Sequence, residues 1–165
     1  MKAMTILRRL RAADGEIRRL EISIRQKREI LTAKSGPQMD PSGGSHGSGS
    51  RDRIPDGLAA VDLLERKKAD REARKSVEQA SACALLDMVP ELESKILYGY
   101  YVLGEDTTAT ARRLSYQPNY TRKKKRDGEK LMDLLTPERV AGTLPRWYLE
   151  LEGGEQYGTE AGKRR

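Results

Sequence analysis

The stretch Thr107-Thr108-Ala109-Thr110-Ala111-Arg112-Arg113-Leu114-Ser115-Tyr116-Gln117-Pro118-Asn119-Tyr120-Thr121-Arg122-Lys123-Lys124-Lys125-Arg126-Asp127-Gly128-Glu129-Lys130-Leu131 reads as a short helix, a break and a basic helix. Asp106 or Thr107 supplies a side-chain oxygen for the N-cap of the first helix, which runs to Leu114. Ser115-Tyr116-Gln117 interrupts it, and Pro118 sits where a second helix loses nothing by lacking an N–H. That second helix continues through Leu134 and Leu135. A short helix with a small residue in its middle, a tight turn and a basic helix make up the helix-turn-helix unit used to enter the major groove of DNA. Ala111 allows a close crossing, and Leu114, Tyr120, Leu131, Leu97 and Tyr101 are the expected core.

The run Arg122 to Arg126 covers more than one helical turn, so it cannot face one groove entirely. Gln117, Asn119, Arg122 and Lys123 stand where base edges would be read, because Gln and Asn pair bidentately with adenine and Arg with guanine. Thr121, Lys124, Lys125, Arg126 and Lys130 complete the expected DNA-binding set as phosphate contacts. A solvated basic face with no nucleic acid on it is the plain alternative for the same charges.

Upstream, Pro90 opens a helix carrying Leu92, Ile96, Leu97, Tyr100 and Tyr101, and Gly104 stops it. Residues 90–135 are therefore a three-helix domain. From Ala3 to Leu31 apolar residues repeat every seven positions, with Ala3, Leu10, Ile17, Ile24 and Leu31 in one register and Ile6, Ala13 and Leu20 in the other. Such a seam, within residues 1–34, serves either a helix of the same chain or a homo-oligomer. Residues 35–57, rich in Ser and Gly, are a flexible linker that permits an antiparallel hairpin. Residues 58–89 follow as a second long helix whose small-residue stripe, Ala69, Ala73, Val77, Ala80 and Ala84, offers a packing face. Cys83 beside it reads as a packing residue. If the first helix is only an oligomer seam, removing residues 1–34 leaves a monomeric DNA-binding domain. Residues 136–165 read as a mostly disordered tail, with Trp147 and Tyr148 able to dock on the core.

The fold class expected is all-α. With 32 Lys+Arg against 25 Asp+Glu in 165 residues, the net charge of +7 favours a polyanionic partner. One Cys and one His cannot build a disulfide or a zinc cage, so no cofactor or metal is expected and a cytoplasmic setting is. No apolar run approaches the roughly 20 residues that cross a bilayer. A phosphate loop is absent from the sequence, as is any Ser or Cys with a suitably placed His, so the chain does not read as an enzyme.

The segment Glu91-Leu92-Glu93-Ser94-Lys95-Ile96-Leu97-Tyr98-Gly99-Tyr100-Tyr101-Val102-Leu103-Gly104, then Thr107 to Tyr116, then Asn119 to Leu135, resembles small phage and prophage proteins of the ArpU/RinA late-transcription-regulator type. Their C-terminal domain is similar to region four of a bacterial sigma factor. The resemblance implies promoter DNA bound through the helix after Pro118, RNA polymerase as a further partner, and a place at the nucleoid of a bacterial host. This sequence departs from that pattern at Thr110, where Ile or Val is usual, at Lys123 or Lys124, where an apolar residue is, and at Gly128, where Ala is. A DNA-packaging protein of the small terminase subunit type also couples such a motif to helical oligomerisation, but in the reverse order along the chain. A structural coiled-coil protein with a basic adaptor domain is the third reading, and it predicts no salt-dependent DNA binding.

Overall fold

The computed structural model of the chain describes residues 1–34 and 53–151. It is all-α, with no strand among the described residues. Two long helices, α1 (Ala3–Lys34) and α2 (Arg53–Leu86), precede α3 (Glu91–Leu97), a π-helical turn (Tyr98–Val102), α4 (Thr107–Arg113), α5 (Pro118–Asp133) and α6 (Pro137–Gly142). Residues 146–151 are helical as well. The chain divides into two compact units, one made of Met1–Ala13 with Ala73 onward, the other of Asp14–Glu72.

In the second unit the heptad register of α1 is its packing face, with Ile24 buried, Ile17, Leu20 and Leu31 half-buried, and Lys27 exposed. The seam is used within the chain. Glu16 pairs with Arg71, Glu21 with Lys68 at 2.8 Å and Arg28 with Glu65, so the two helices run antiparallel. A Cβ on Gly57 would press on the Leu31 side chain, so α1 and α2 pack closely there and Leu31 would have to move to admit one. α2 begins at Arg53, inside the stretch expected to be linker. Pro55 falls in its first turn, where backbone N–H groups have no helical acceptor, and Asp56 favours the positive end of the helix dipole. The rest of the expected linker, including His46, lies outside the described residues.

The small-residue stripe of α2 is not its packing face: Ala69, Ala73 and Ala80 are exposed, and Val77 and Ala84 are half-buried. The buried positions are Val61, Glu78, Ser81, Ala82, Leu85 and Leu86. Larger side chains decide the phase because each removes more apolar area from water than an alanine does.

The first unit has one core, drawn from both ends of the chain. Ala3, Met4, Ile6, Leu7 and Leu10 of α1 meet Ala82, Leu85 and Leu86 of α2, Leu97, Tyr101, Met132, Val140, Leu144 and Tyr148. Much of the expected tail is thus structured. Thr136 caps α6 by accepting from Arg139 N, and Val140 of α6, Leu144 of the break after it and Tyr148 of the next helical segment are all buried. Trp147, expected to dock, is 44% exposed, whereas Tyr148 is buried and donates to Glu78 Oε1 at 2.7 Å. Burial first, and then the bond to Glu78, push the Tyr148 phenol up to about 12. Ser81 and Thr143 share a further hydrogen bond at 2.5 Å.

Candidate nucleic-acid interface

The turn between α4 and α5 rests on local chemistry. Asp106 caps α4, its Oδ1 accepting from Ala109 N at 2.6 Å. Ser115 takes a left-handed conformation (φ 60°), and Tyr116 N then bonds back to Ala111 O at 2.9 Å. Gln117 is extended at the N-cap of α5 and Pro118 occupies the first turn. Ala111 is buried where the helices cross. Thr110, in place of the usual Ile or Val, is also fully buried, and its hydroxyl lies 3.0 Å from both the Glu105 carboxylate and the Asp106 carbonyl. The same carboxylate accepts from Arg113 Nε at 2.9 Å.

α5 presents a different face to the core from the one its apolar residues suggest. Thr121, Gly128 and Met132 are buried, whereas Tyr120 (41%) and Leu131 (37%) are exposed and Leu114 is half-buried. The phase follows from Gly128: a Cβ there would lie 3.0 Å from Leu97 Cδ1 and 3.2 Å from Glu93 Cβ, so this is where α3 and α5 approach closest to contact. Lys124 and Lys125 flank that strip and are therefore turned inward with their stems packed. Lys124 Nζ meets Glu93 Oε1 at 2.8 Å. This bond holds the Glu93 carboxyl below the usual carboxylate range and raises the Lys124 ammonium above its own. Lys125 Nζ lies 3.2 Å from Glu129 and 3.7 Å from the Tyr100 ring centroid, a cation–π contact. Glu129 also accepts from Tyr101 Oη at 2.6 Å, and burial together with this bond drives the Tyr101 phenol well up.

Arg11 of α1 completes the support. It donates to the carbonyls of Tyr100 and Glu105, groups left at the edge of the π-helical turn, and its guanidinium carbon lies 3.5 Å from the Tyr100 ring centroid. A Cβ at Gly99 would press on the Glu105 carboxylate at 2.6 Å and Thr110 Cγ2 at 3.1 Å, so the Glu105–Arg113 pair would have to shift to admit one.

The nine residues selected from the sequence accordingly separate into three groups. Gln117, Asn119, Arg122, Lys123, Arg126 and Lys130 are exposed. From Asn119 onward their spacing places them on the face of α5 opposite Thr121, Gly128 and Met132. Lys124 and Lys125 are committed to Glu93, Glu129 and Tyr100. Thr121 is a correction: it is fully buried, and its Oγ1 has no hydrogen-bond partner. No family model, curated protein or solved structure matches the chain. Among the described residues no group of three His, Cys, Asp or Glu can hold a metal ion, and no helix is long and apolar enough to cross a membrane.

Glu93, Tyr100, Glu129 and Arg11 position α5 and were not singled out by sequence. The four-residue spacing of Lys125 and Glu129 was a readable sign of their pairing. Nothing local to Arg11 announces a contact with residues 89 and 94 positions away.

An orphaned buried hydroxyl costs stability that an isosteric methyl does not. Thr121→Val is therefore expected to stabilise the chain by about 1 kcal/mol, read as an upward shift of the urea midpoint. A lowered midpoint would mean that the hydroxyl has a partner in solution.

Proposed function

We propose that the chain binds duplex DNA through the outward face of α5, as a transcription regulator of the phage and prophage kind that its sequence resembles. The observation that carries this reading is the strip Arg122, Lys123, Arg126 and Lys130, all exposed, on the second helix of a helix-turn-helix whose inner face is fixed by Gly128, Glu93 and Tyr100. Phosphates neutralise such a strip, and Gln117 and Asn119 at the start of the helix are in place for base edges. An oligomer through α1 cannot use the heptad seam, which α2 covers; Ile22 and Ile30, each 54% exposed, are large apolar side chains of α1 that stay on the surface.

Fluorescence anisotropy with a duplex at several salt concentrations tests the reading. Four outward cations predict a log–log salt slope of about −3.6 at about −0.9 per phosphate contact, shallower than five cations would give. Lys123→Ala and Arg126→Ala should each weaken binding to all sequences and flatten the slope by about one unit. Unchanged affinity in both variants would remove α5 as the DNA-binding helix.

A further inference from the structure

Resting on that DNA-binding reading, we propose that the base read at the start of α5 is guanine, through Asn119 and Arg122 acting as a pair. A free asparagine offers one acceptor and one donor group, the combination that matches N7 and N6 of adenine. Asn119 is not in that state: its Oδ1 accepts from Arg122 Nη1 at 3.3 Å. One of the two Oδ1 lone pairs is thereby tied to the guanidinium, and the amide's unengaged donor is Nδ2. Arg122 has no acceptor at all, and its remaining N–H groups form a planar fork.

The charged neighbours on this side add no acceptor. Lys123 and Arg126, exposed on the same side, are donors only. Thr121, whose hydroxyl would have been an acceptor within the first turn, is buried. Asp127 is half-buried and Asp133 stands at the other end of the helix. The charged side chains in the first two turns of the outward face are therefore all donors. In the major groove only guanine sets two acceptors, N7 and O6, side by side on one base; adenine puts an amino donor beside N7, cytosine offers a donor, and thymine has one acceptor next to a methyl group. An adenine opposite this pair would leave N6–H facing N–H.

The pairing also restrains the Arg122 side chain against the first turn of α5, lowering the conformational entropy lost on docking. Gln117 keeps both a donor and an acceptor group, so the inference concerns only the base that meets Asn119 and Arg122.

The experiment is selection of full-length chain from a random-sequence duplex pool, repeated with Arg122→Ala, Arg122→Lys and Asn119→Ala. All three substitutions fall on exposed positions, so melting curves should match wild type. The expected result is a guanine at one fixed position, lost in Arg122→Ala and not restored by lysine, which lacks the fork. The enriched duplex is then remade with 7-deazaguanine at that position, which keeps Watson–Crick pairing and O6 but removes N7; affinity should drop roughly fivefold or more. Adenine enriched at the Arg122-dependent position, undiminished affinity for the deaza duplex, or salt-sensitive retention with no enriched base would each overturn the guanine assignment and leave DNA binding standing. No retention of any duplex would overturn the DNA-binding reading and this inference with it.

Discussion

A chain lacking residues 1–13 is expected to lose the cooperative melting of the unit that carries α5. Met4, Ile6, Leu7 and Leu10 are at most 3% exposed, and all lie in the core shared with Leu97, Tyr101, Met132 and Tyr148. Each such side chain contributes roughly 1.5–3 kcal/mol by burial, on the order of 6–12 kcal/mol together. That is comparable with the whole stability of an ordinary domain, about 5–15 kcal/mol. Arg11 would go too, leaving the carbonyls of Tyr100 and Glu105 without this donor. A single substitution should show the same dependence in milder form, Leu7→Ala costing about 2–5 kcal/mol. Thermal melts followed by near-ultraviolet circular dichroism decide the matter. A truncated chain with an unshifted, sharp transition would show that α1 is dispensable to this core. The expectation that removing residues 1–34 leaves a monomeric DNA-binding domain holds only if the first helix is solely an oligomer seam, and here its first turns also belong to this core.

Gly128→Leu is expected to be nearly as damaging. A Cβ at residue 128 already sits 3.0 Å from Leu97 Cδ1 and 3.3 Å from its Cγ, and Leu97 is itself fully buried. Alanine would gain about 1 kcal/mol in helix propensity over glycine, offset by the squeeze on Leu97 and Glu93, so Gly128→Ala should fall close to wild type. Leucine has no space at all and must drive α3 from α5, a loss of about 3 kcal/mol from overpacking. The Glu93–Lys124 ion pair spans the same interface and would be pulled apart with it. Urea midpoints of the two variants give the comparison. Equal midpoints would mean that α3 and α5 are further apart than 3.0 Å contact distances imply.

Helix ends were legible because the chemistry that sets them is local. Asp106, Gly104 (φ 71°) and Pro118 act within one turn of where they stand, and each marks a boundary where expected. The seam of α1 was legible for the same reason, since a seven-residue repeat needs no knowledge of the partner. The phase of α5 was not. Hydrophobicity nominates Tyr120 and Leu131 for its inner face, but a glycine permits the closest approach, and the two lysines beside it are neutralised by Glu93 and Glu129 on elements read separately. Counting charges therefore does not reveal that Lys124 and Lys125 are paired on the inner side of α5. The small-residue stripe of α2 failed similarly, because Leu85 and Leu86, one and two positions beyond Ala84, command more buried area. In residues 136–151 Gly142 and Pro145 mark a real break between two short helical segments, and the apolar residues Val140, Leu144 and Tyr148 are buried across it. The π-helical turn leaves no mark in the sequence beyond Gly99.

The meeting of Leu7 with Tyr148 and Val140 in one core also orders events in time. A chain emerging from the ribosome delivers its first apolar turns long before their partners exist. They must wait, exposed or loosely held, until residue 148 has been made, and only then can the core close across that separation. Folding of this kind is slow to nucleate, because distant segments must be brought together before their contacts stabilise anything. The basic helix α5 is thus held in its final setting only after translation has passed Tyr148, and a nascent chain stalled short of that point carries the basic strip without the frame that holds it.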